Sequence, residues 1–161
     1  MKITKLVYKI FAVLIISPFL MSGFCVKDKS EPITPIDNGG QFFTWNILGQ
    51  SGQIDESPGD SLGMKIVSDT TVIYGTRKTN TLTANYRLTF PGTKIGNYKA
   101  SEFLIYASGR YLVATSKPID ISISSYGGPG SFVTGSYSGP IKDSTSGITI
   151  TATGEFKVKN K

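Results

Sequence analysis

Two stretches of strict alternation constrain this chain more than anything else in it. From Gly147 to Val158, residues Ile148, Ile150, Ala152, Gly154, Phe156 and Val158 recur at every second position. From Thr81 to Phe90, Leu82, Ala84, Tyr86, Leu88 and Phe90 do the same, with Thr81, Thr83, Asn85, Arg87 and Thr89 between them. A period of two held over such lengths is that of a strand with one face on a core and the other in water. Gly154 falls on the inward face, where a missing side chain predicts a bulge or close packing against the other sheet.

The rest of the chain after residue 40 repeats this theme in shorter pieces. Gln41–Leu48 reads as a first strand with Phe43, Trp45 and Ile47 on one face, and Gly49–Gly63, polar, acidic and glycine-rich, reads as a loop. Met64–Val67 and Thr71–Thr76 form a hairpin around Ser68-Asp69-Thr70. Ile95–Tyr98 continues into Glu102–Ala107, and a turn at Ser108-Gly109 leads to Tyr111–Thr115. These last strands are apolar on both faces, as central strands are. Pro118 opens a strand with Ile119, Ile121 and Ile123 inward, Gly127–Gly130 turns the chain, and Ser131–Gly139 precedes the final strand. Eight to ten strands joined by short turns predict an all-β fold, an antiparallel β-sandwich over residues 41–161. No repeat of fixed period is present, and the strands carry too few lipid-facing apolar residues for a transmembrane barrel.

The first 40 residues are of another kind. Lys2, Lys5 and Lys9 make a positive head, and Leu6–Leu20 is apolar apart from Tyr8, Lys9, Ser17 and Pro18. Ser22 and Gly23 are small, and the polar run from Val26 to Glu31 begins only after Cys25, the sole cysteine. This charged, apolar, cleavable order is that of a secretory signal, and the apolar part is shorter than a bilayer-spanning helix needs. Met21-Ser22-Gly23-Phe24-Cys25 resembles the end of a bacterial lipoprotein signal, except that bulky Phe24 stands where a small residue is usual. The resemblance implies cleavage before Cys25 and a diacylglycerol on its sulfur, with acyl chains such as palmitate holding the protein to a membrane. Ordinary secretion, with cleavage near Ser22 or Gly23, is the alternative. The expected organisation is a signal peptide over 1–24, a flexible lipid-anchored tether over 25–40 containing Pro32, Pro35 and Asn38-Gly39-Gly40, and the β-domain over 41–161.

Absences exclude most chemistry. The chain has no histidine, so no Ser-His-Asp triad and no imidazole ligand, and a lipidated Cys25 leaves no thiolate for catalysis or zinc. The formal charge of +6 includes the three leader lysines, and no basic run interleaves with aromatics, which argues against a nucleic-acid partner. Gly127-Gly128-Pro129-Gly130 lacks the Lys-Ser/Thr ending of a phosphate loop. Asp55, Glu56 and Asp60 are candidate calcium ligands, although acidic loop residues are more often simply solvated. A glycosidase-like carboxylate pair involving Glu102 or Asp120 is the enzymatic alternative. Trp45, Tyr126 and Tyr137 are candidate ligand-stacking residues, with Tyr74, Tyr106 and Tyr111 behind them, and the competing reading of each is a core aromatic.

The order Ile119–Gly127, Val133–Gly139, Gly147–Thr151 and Gly154–Val158, with Gly96-Asn97-Tyr98 upstream, resembles that of small uncharacterised lipoproteins of Bacteroidota. The resemblance spans about Gly96 to Lys161 and implies a β-sandwich and a cell-envelope, outer-membrane location, without implying an activity. The sequence thus predicts a monomeric, lipid-anchored, non-catalytic β-domain that needs no cofactor. Its expected partners are the membrane and a glycan or envelope protein, and a carbohydrate-binding module is the alternative.

Overall fold

The computed structural model describes residues 39–78, 83–107 and 109–161. The signal peptide, Cys25 and nearly all of the tether lie outside the described residues, as do Thr81, Leu82 and Ser108. Eleven strands follow: β1 (Phe42–Ile47), β2 (Gln50–Ile54), β3 (Asp60–Val67), β4 (Thr70–Lys78), β5 (Thr83–Pro91) and β6 (Gly96–Lys99). After them come β7 (Glu102–Ala107), β8 (Arg110–Ala114), β9 (Asp120–Tyr126), β10 (Phe132–Asp143) and β11 (Thr149–Lys159).

Every pairing is antiparallel, in the order β2-β1-β11-β10-β8-β7-β5-β4-β3, with β9 and β6 branching from β10. Strand β10 is the junction. Along one edge it pairs with β11 throughout, and along the other Val133–Ser138 faces β9 while Ile141–Asp143 faces β8. Pro140, with no N–H to give, sits where the partner changes, at one of the ladder interruptions to which strand prolines are confined. A bulge between Thr134 and Gly135 bends the β9 side. The sheet thereby folds on itself into a nearly closed sandwich. Arg77 fastens the seam between its two ends, donating to the Gln53 carbonyl on β2 while its Nε lies 4.0 Å from Asp60 on β3.

The alternation read from the sequence is the core. Ala84, Tyr86, Leu88 and Phe90 of β5, Ile119, Ile121 and Ile123 around β9, and Ala152, Phe156 and Val158 of β11 are all buried. Phe43 lies at the centre, its ring 3.8 Å from that of Tyr86, 5.3 Å from Tyr137 and 6.4 Å from Phe156. The Ser68-Asp69 turn is a two-residue hairpin in which both residues have positive φ, 46° and 58°, the geometry that matches strand twist. Among the described residues this core cluster runs from Phe43 to Val158.

Three expectations need correction. Gly49–Gly63 is not a loop: it holds β2 and the start of β3, because Gly52 lies in a strand opposite Trp45 and Gly63 opposite Tyr74. Ile95–Tyr98 does not run on into Glu102–Ala107. Strand β6 joins β9 while β7 joins β5 and β8, the chain crossing between them where Ala100 N donates to Ile119 O and Ser101 N to Thr89 O. Ile148 does not share the inward face of β11, since the strand begins at Thr149 and Ile148 is 60% exposed.

Gly154 is closely packed, but by its neighbours in the same sheet, β1 and β10, rather than by an opposing sheet or a bulge. A Cβ there would lie 2.1 Å from Thr44 O and 2.6 Å from the Tyr137 hydroxyl, which crosses β11 through this gap to donate to Thr44 O at 2.9 Å. The Thr44 hydroxyl stands in for the backbone ladder beside it, accepting from Glu155 N at 2.9 Å and facing Glu155 O at 3.2 Å. Tyr137→Phe leaves the buried Thr44 carbonyl without this donor and should cost about 1–3 kcal/mol in urea unfolding. Gly154→Ala forces a backbone shift and should cost more. A Gly154→Ala chain as stable as the parent would refute this packing.

Candidate functional site

Strands β1, β11, β10 and β8 all reach one end of the sandwich, and there they leave a groove of about 600 Å³. Its floor is apolar: Trp45 and Ile47 from β1, Ile105 from β7, Leu112 from β8 and Ile150 from β11. Trp45 is half-buried because its indole lies across Gly52 on β2, where a Cβ would stand 2.1 Å from the ring. A side chain at position 52 would push the ring out of the groove wall.

Two turns make the lips. Leu48-Gly49 joins β1 to β2 with both residues at positive φ, 54° and 76°, and holds Leu48 77% exposed. The turn from β10 to β11 is organised by Asp143, whose Oδ1 accepts from Thr145 N at 2.8 Å and Ser146 N at 3.4 Å. Its own N–H donates to Ile148 O at 3.0 Å, and Gly147 N donates to Asp143 O at 2.8 Å. Arg110 of β8 stands beside it, Nη1 3.7 Å from Asp143 Oδ2. The amide of Thr145 foremost, with Ser146 and Arg110, holds the Asp143 carboxyl below the usual carboxylate range.

The groove lies at the end of the β1–β11 ladder opposite to the chain's entry. Phe42, at the start of β1, pairs with Lys157, and Gln41 Oε1 accepts from Lys159 N at 2.7 Å, while Ile47, beside the groove, pairs with Ala152. The residue preceding β1 and the C-terminus therefore share one end, and the groove occupies the other.

The candidate aromatics are not brought together. Trp45 lines the groove. Tyr137 is a core residue, 3% exposed, its hydroxyl committed to Thr44, and burial raises its phenol far above the ordinary value. Tyr126 is half-buried at the other end, its hydroxyl 2.9 Å from Thr71 Oγ1, which donates to Gly92 O at 2.6 Å. Tyr106 and Tyr111 pack on each other with ring centres 4.7 Å apart, and Tyr74 lies over Gly63.

The candidate carboxylates are each engaged locally. Glu102 pairs with Arg87 at 2.9 Å, Asp120 with Lys99, and Glu56 accepts from Gln41 at 3.0 Å. Asp55 accepts from Ser57 N at 2.8 Å; the Ser57 side chain foremost, with that amide, holds its carboxyl below the usual range, and its own N–H reaches Asp60 Oδ2 at 3.4 Å. Among the described residues no group of three His, Cys, Asp or Glu is placed to hold a metal ion. A second, shallower depression lies on Ser122, Ser124, Thr134, Ser136 and Phe42, with Ser124 Oγ 2.9 Å from Thr134 Oγ1.

Sequence reasoning found Trp45 but missed the groove around it. Ile105, Arg110, Leu112 and Asp143 come from separate strands that only the fold juxtaposes, and Ile47 and Ile150 read as ordinary core positions. The available signal was Leu48-Gly49, a two-residue turn with an apolar first residue. Comparison with protein-family models, curated proteins and solved structures finds no match to the chain.

Asp143 makes the groove lip sensitive to acid. A carboxyl whose folded pKa is depressed stabilises the fold fully above its unfolded value, about 3.9, and loses that contribution as pH falls through the folded value. Asp143→Ala should therefore be less stable than the parent at neutral pH, with the gap narrowing as acid brings the pH below the unfolded carboxylate value and down through the lower folded one. A gap independent of pH in paired thermal melts would show that the Asp143 charge does not hold this turn.

Proposed function

We propose that this chain is a cell-envelope lipoprotein, anchored to the outer membrane through Cys25, whose β-domain is a non-catalytic binding module with the groove at Trp45 as its site. The observation that carries the binding reading is the groove itself. It is a concave apolar surface of the size range of small-molecule sites, about 300–1,000 Å³, walled by a half-buried tryptophan. The anchor reading rests on the leader and on Cys25 at its end. With chain entry at the opposite end, an anchored domain presents the groove away from its own tether. The local engagement of the candidate carboxylates, Glu102 by Arg87, Asp120 by Lys99 and Asp55 by Ser57, supports binding over hydrolysis.

A carbohydrate-binding module is the second reading. Gln50, Ser146 and Arg110 beside the Trp45 ring supply the polar groups that orient a sugar on an aromatic face. The aliphatic floor favours an apolar ligand instead.

Two measurements test these readings. Growth with an alkyne-tagged palmitate should label the wild-type chain in the membrane fraction, and Cys25→Ser should abolish the label. A labelled Cys25→Ser chain would overturn the anchor. Trp45 is the only tryptophan, so its emission reports the groove alone. In the unlipidated mature chain, residues 25–161, the uncharged apolar dye N-phenyl-1-naphthylamine should change that emission saturably. A response to one envelope oligosaccharide and not to the dye would establish the carbohydrate reading, and a response to neither would remove the groove as a site.

A further inference from the structure

Leu48 sits where its own fold disfavours it twice. Its φ of 54° is a left-handed conformation in which a side chain crowds the neighbouring carbonyl, and Asn, Asp or Gly usually occupy that place in a two-residue hairpin. It is also a large apolar side chain left 77% exposed, and Ile148, on the facing turn, is 60% exposed. Neither belongs to the core cluster. Both line the groove mouth, so an apolar ligand lying between them takes both out of water.

The polar groups of the same rim point to the other end of that ligand. The Arg110 side chain is 69% exposed, and its Nη1, 3.7 Å from Asp143 Oδ2, is beyond hydrogen-bond reach of it. Asp143, by contrast, is buried, and its Oδ1 is taken up by the amides of Thr145 and Ser146. The rim therefore sets one exposed cation, Arg110, beside one acid whose charge is already stabilised by its own turn, above a floor with no charge. A planar carboxylate matches the fork of an arginine better than a hydroxyl or an amine does.

We propose that the groove binds a medium-chain carboxylate, its alkyl chain along Trp45, Ile47, Leu112 and Ile150 and its carboxylate on Arg110, with Leu48 and Ile148 closing over the chain. This rests on the reading of the groove as a binding site and adds the class of ligand.

The test uses the unlipidated mature chain and Trp45 emission, with decanoate, decanol and decyltrimethylammonium as probes. Decanoate should bind about tenfold more tightly than decanol, the worth of one charge-assisted hydrogen bond, and the cationic probe more weakly than either. Arg110→Gln should weaken decanoate more than it weakens decanol, so that the two probes bind at the same level. Leu48→Asn is the decisive variant: relief of the turn should raise the midpoint of thermal unfolding, and loss of the lip should weaken decanoate several-fold. A merely structural Leu48 would change the first and not the second. Equal binding of the three probes, or full decanoate affinity in Leu48→Asn, overturns the proposal. If the dye binds and decanoate is no better than decanol, only the ligand class is lost; if nothing perturbs Trp45, the binding reading itself fails.

Discussion

A large ring set directly opposite a glycine on the next strand is the interaction on which this fold depends. It occurs at Trp45 and Gly52, Tyr74 and Gly63, Tyr86 and Gly75, Tyr137 and Gly154, and Phe156 and Gly135. In each pair a Cβ on the glycine would stand within about the same short distance of the ring, from 2.1 Å at Gly52 to 3.1 Å at Gly63. Glycine alone weakens a strand, because it brings no packing surface and loses the most backbone entropy. Opposite an aromatic it acts differently: the ring lies flat along the sheet and covers both positions. Phe43 can stack within 3.8 Å of Tyr86 partly because Tyr86 lies down on Gly75.

These pairs also determine where polar atoms end up. At Gly154 the gap is a passage through which the Tyr137 hydroxyl reaches Thr44 O, so a phenol in the middle of the core is satisfied by the strand beyond its neighbour. Tyr86 has no such passage. Among the described residues its buried hydroxyl has no hydrogen-bond partner, and burial holds its phenol protonated well above the ordinary range. Leaving such a group unpaired costs about 1–3 kcal/mol. The stack with Phe43 and the cover it gives Gly75 offset that cost, which explains why a tyrosine is tolerated there and leaves its hydroxyl without a structural task.

The same pairs explain what could be read in the sequence and what could not. The alternations through Tyr86–Phe90, Ile119–Ile123 and Ala152–Val158 were legible because each strand has one dry and one wet face, a property local to the strand. The Ser68-Asp69 turn was legible for a similar reason. Gly52 and Gly63 were not: a glycine in a strand and a glycine in a loop look alike until its partner across the sheet is known, so β2 and the start of β3 read as a loop. Ile148 misled in the opposite direction, continuing the period of β11 by one step beyond its start at Thr149, beside the turn that Gly147 makes at a φ of 73°. The groove was least legible of all, since Trp45, Leu112 and Ile150 are ordinary strand residues until β10 changes partners and brings β8 to β11's end of the sheet.

That change of partner at Pro140 links the fold to the site. Below it β10 is flanked by β9, and the core between the layers is filled by Ile121, Ile123, Val133 and Phe156. Above it β10 is flanked by β8, whose residues Leu112 and Ala114 only partly cover the core from that side. The short β8 and the early end of β1 at Ile47 leave the upper layer without enough side chains to close it. Trp45, held down by Gly52, and Asp143, held by its turn amides, then fix the shape of the opening from both sides. A gap in a sandwich end would ordinarily be covered by a longer hairpin or filled by a larger residue. Here the two turns at its edge instead hold Leu48 and Ile148 in the open, and Leu48 does so in a backbone conformation that leucine disfavours. The groove is thus a feature maintained against local preference, whereas the opposite end, where Tyr126, Thr71 and Gly92 join through consecutive hydrogen bonds, is closed by its own residues.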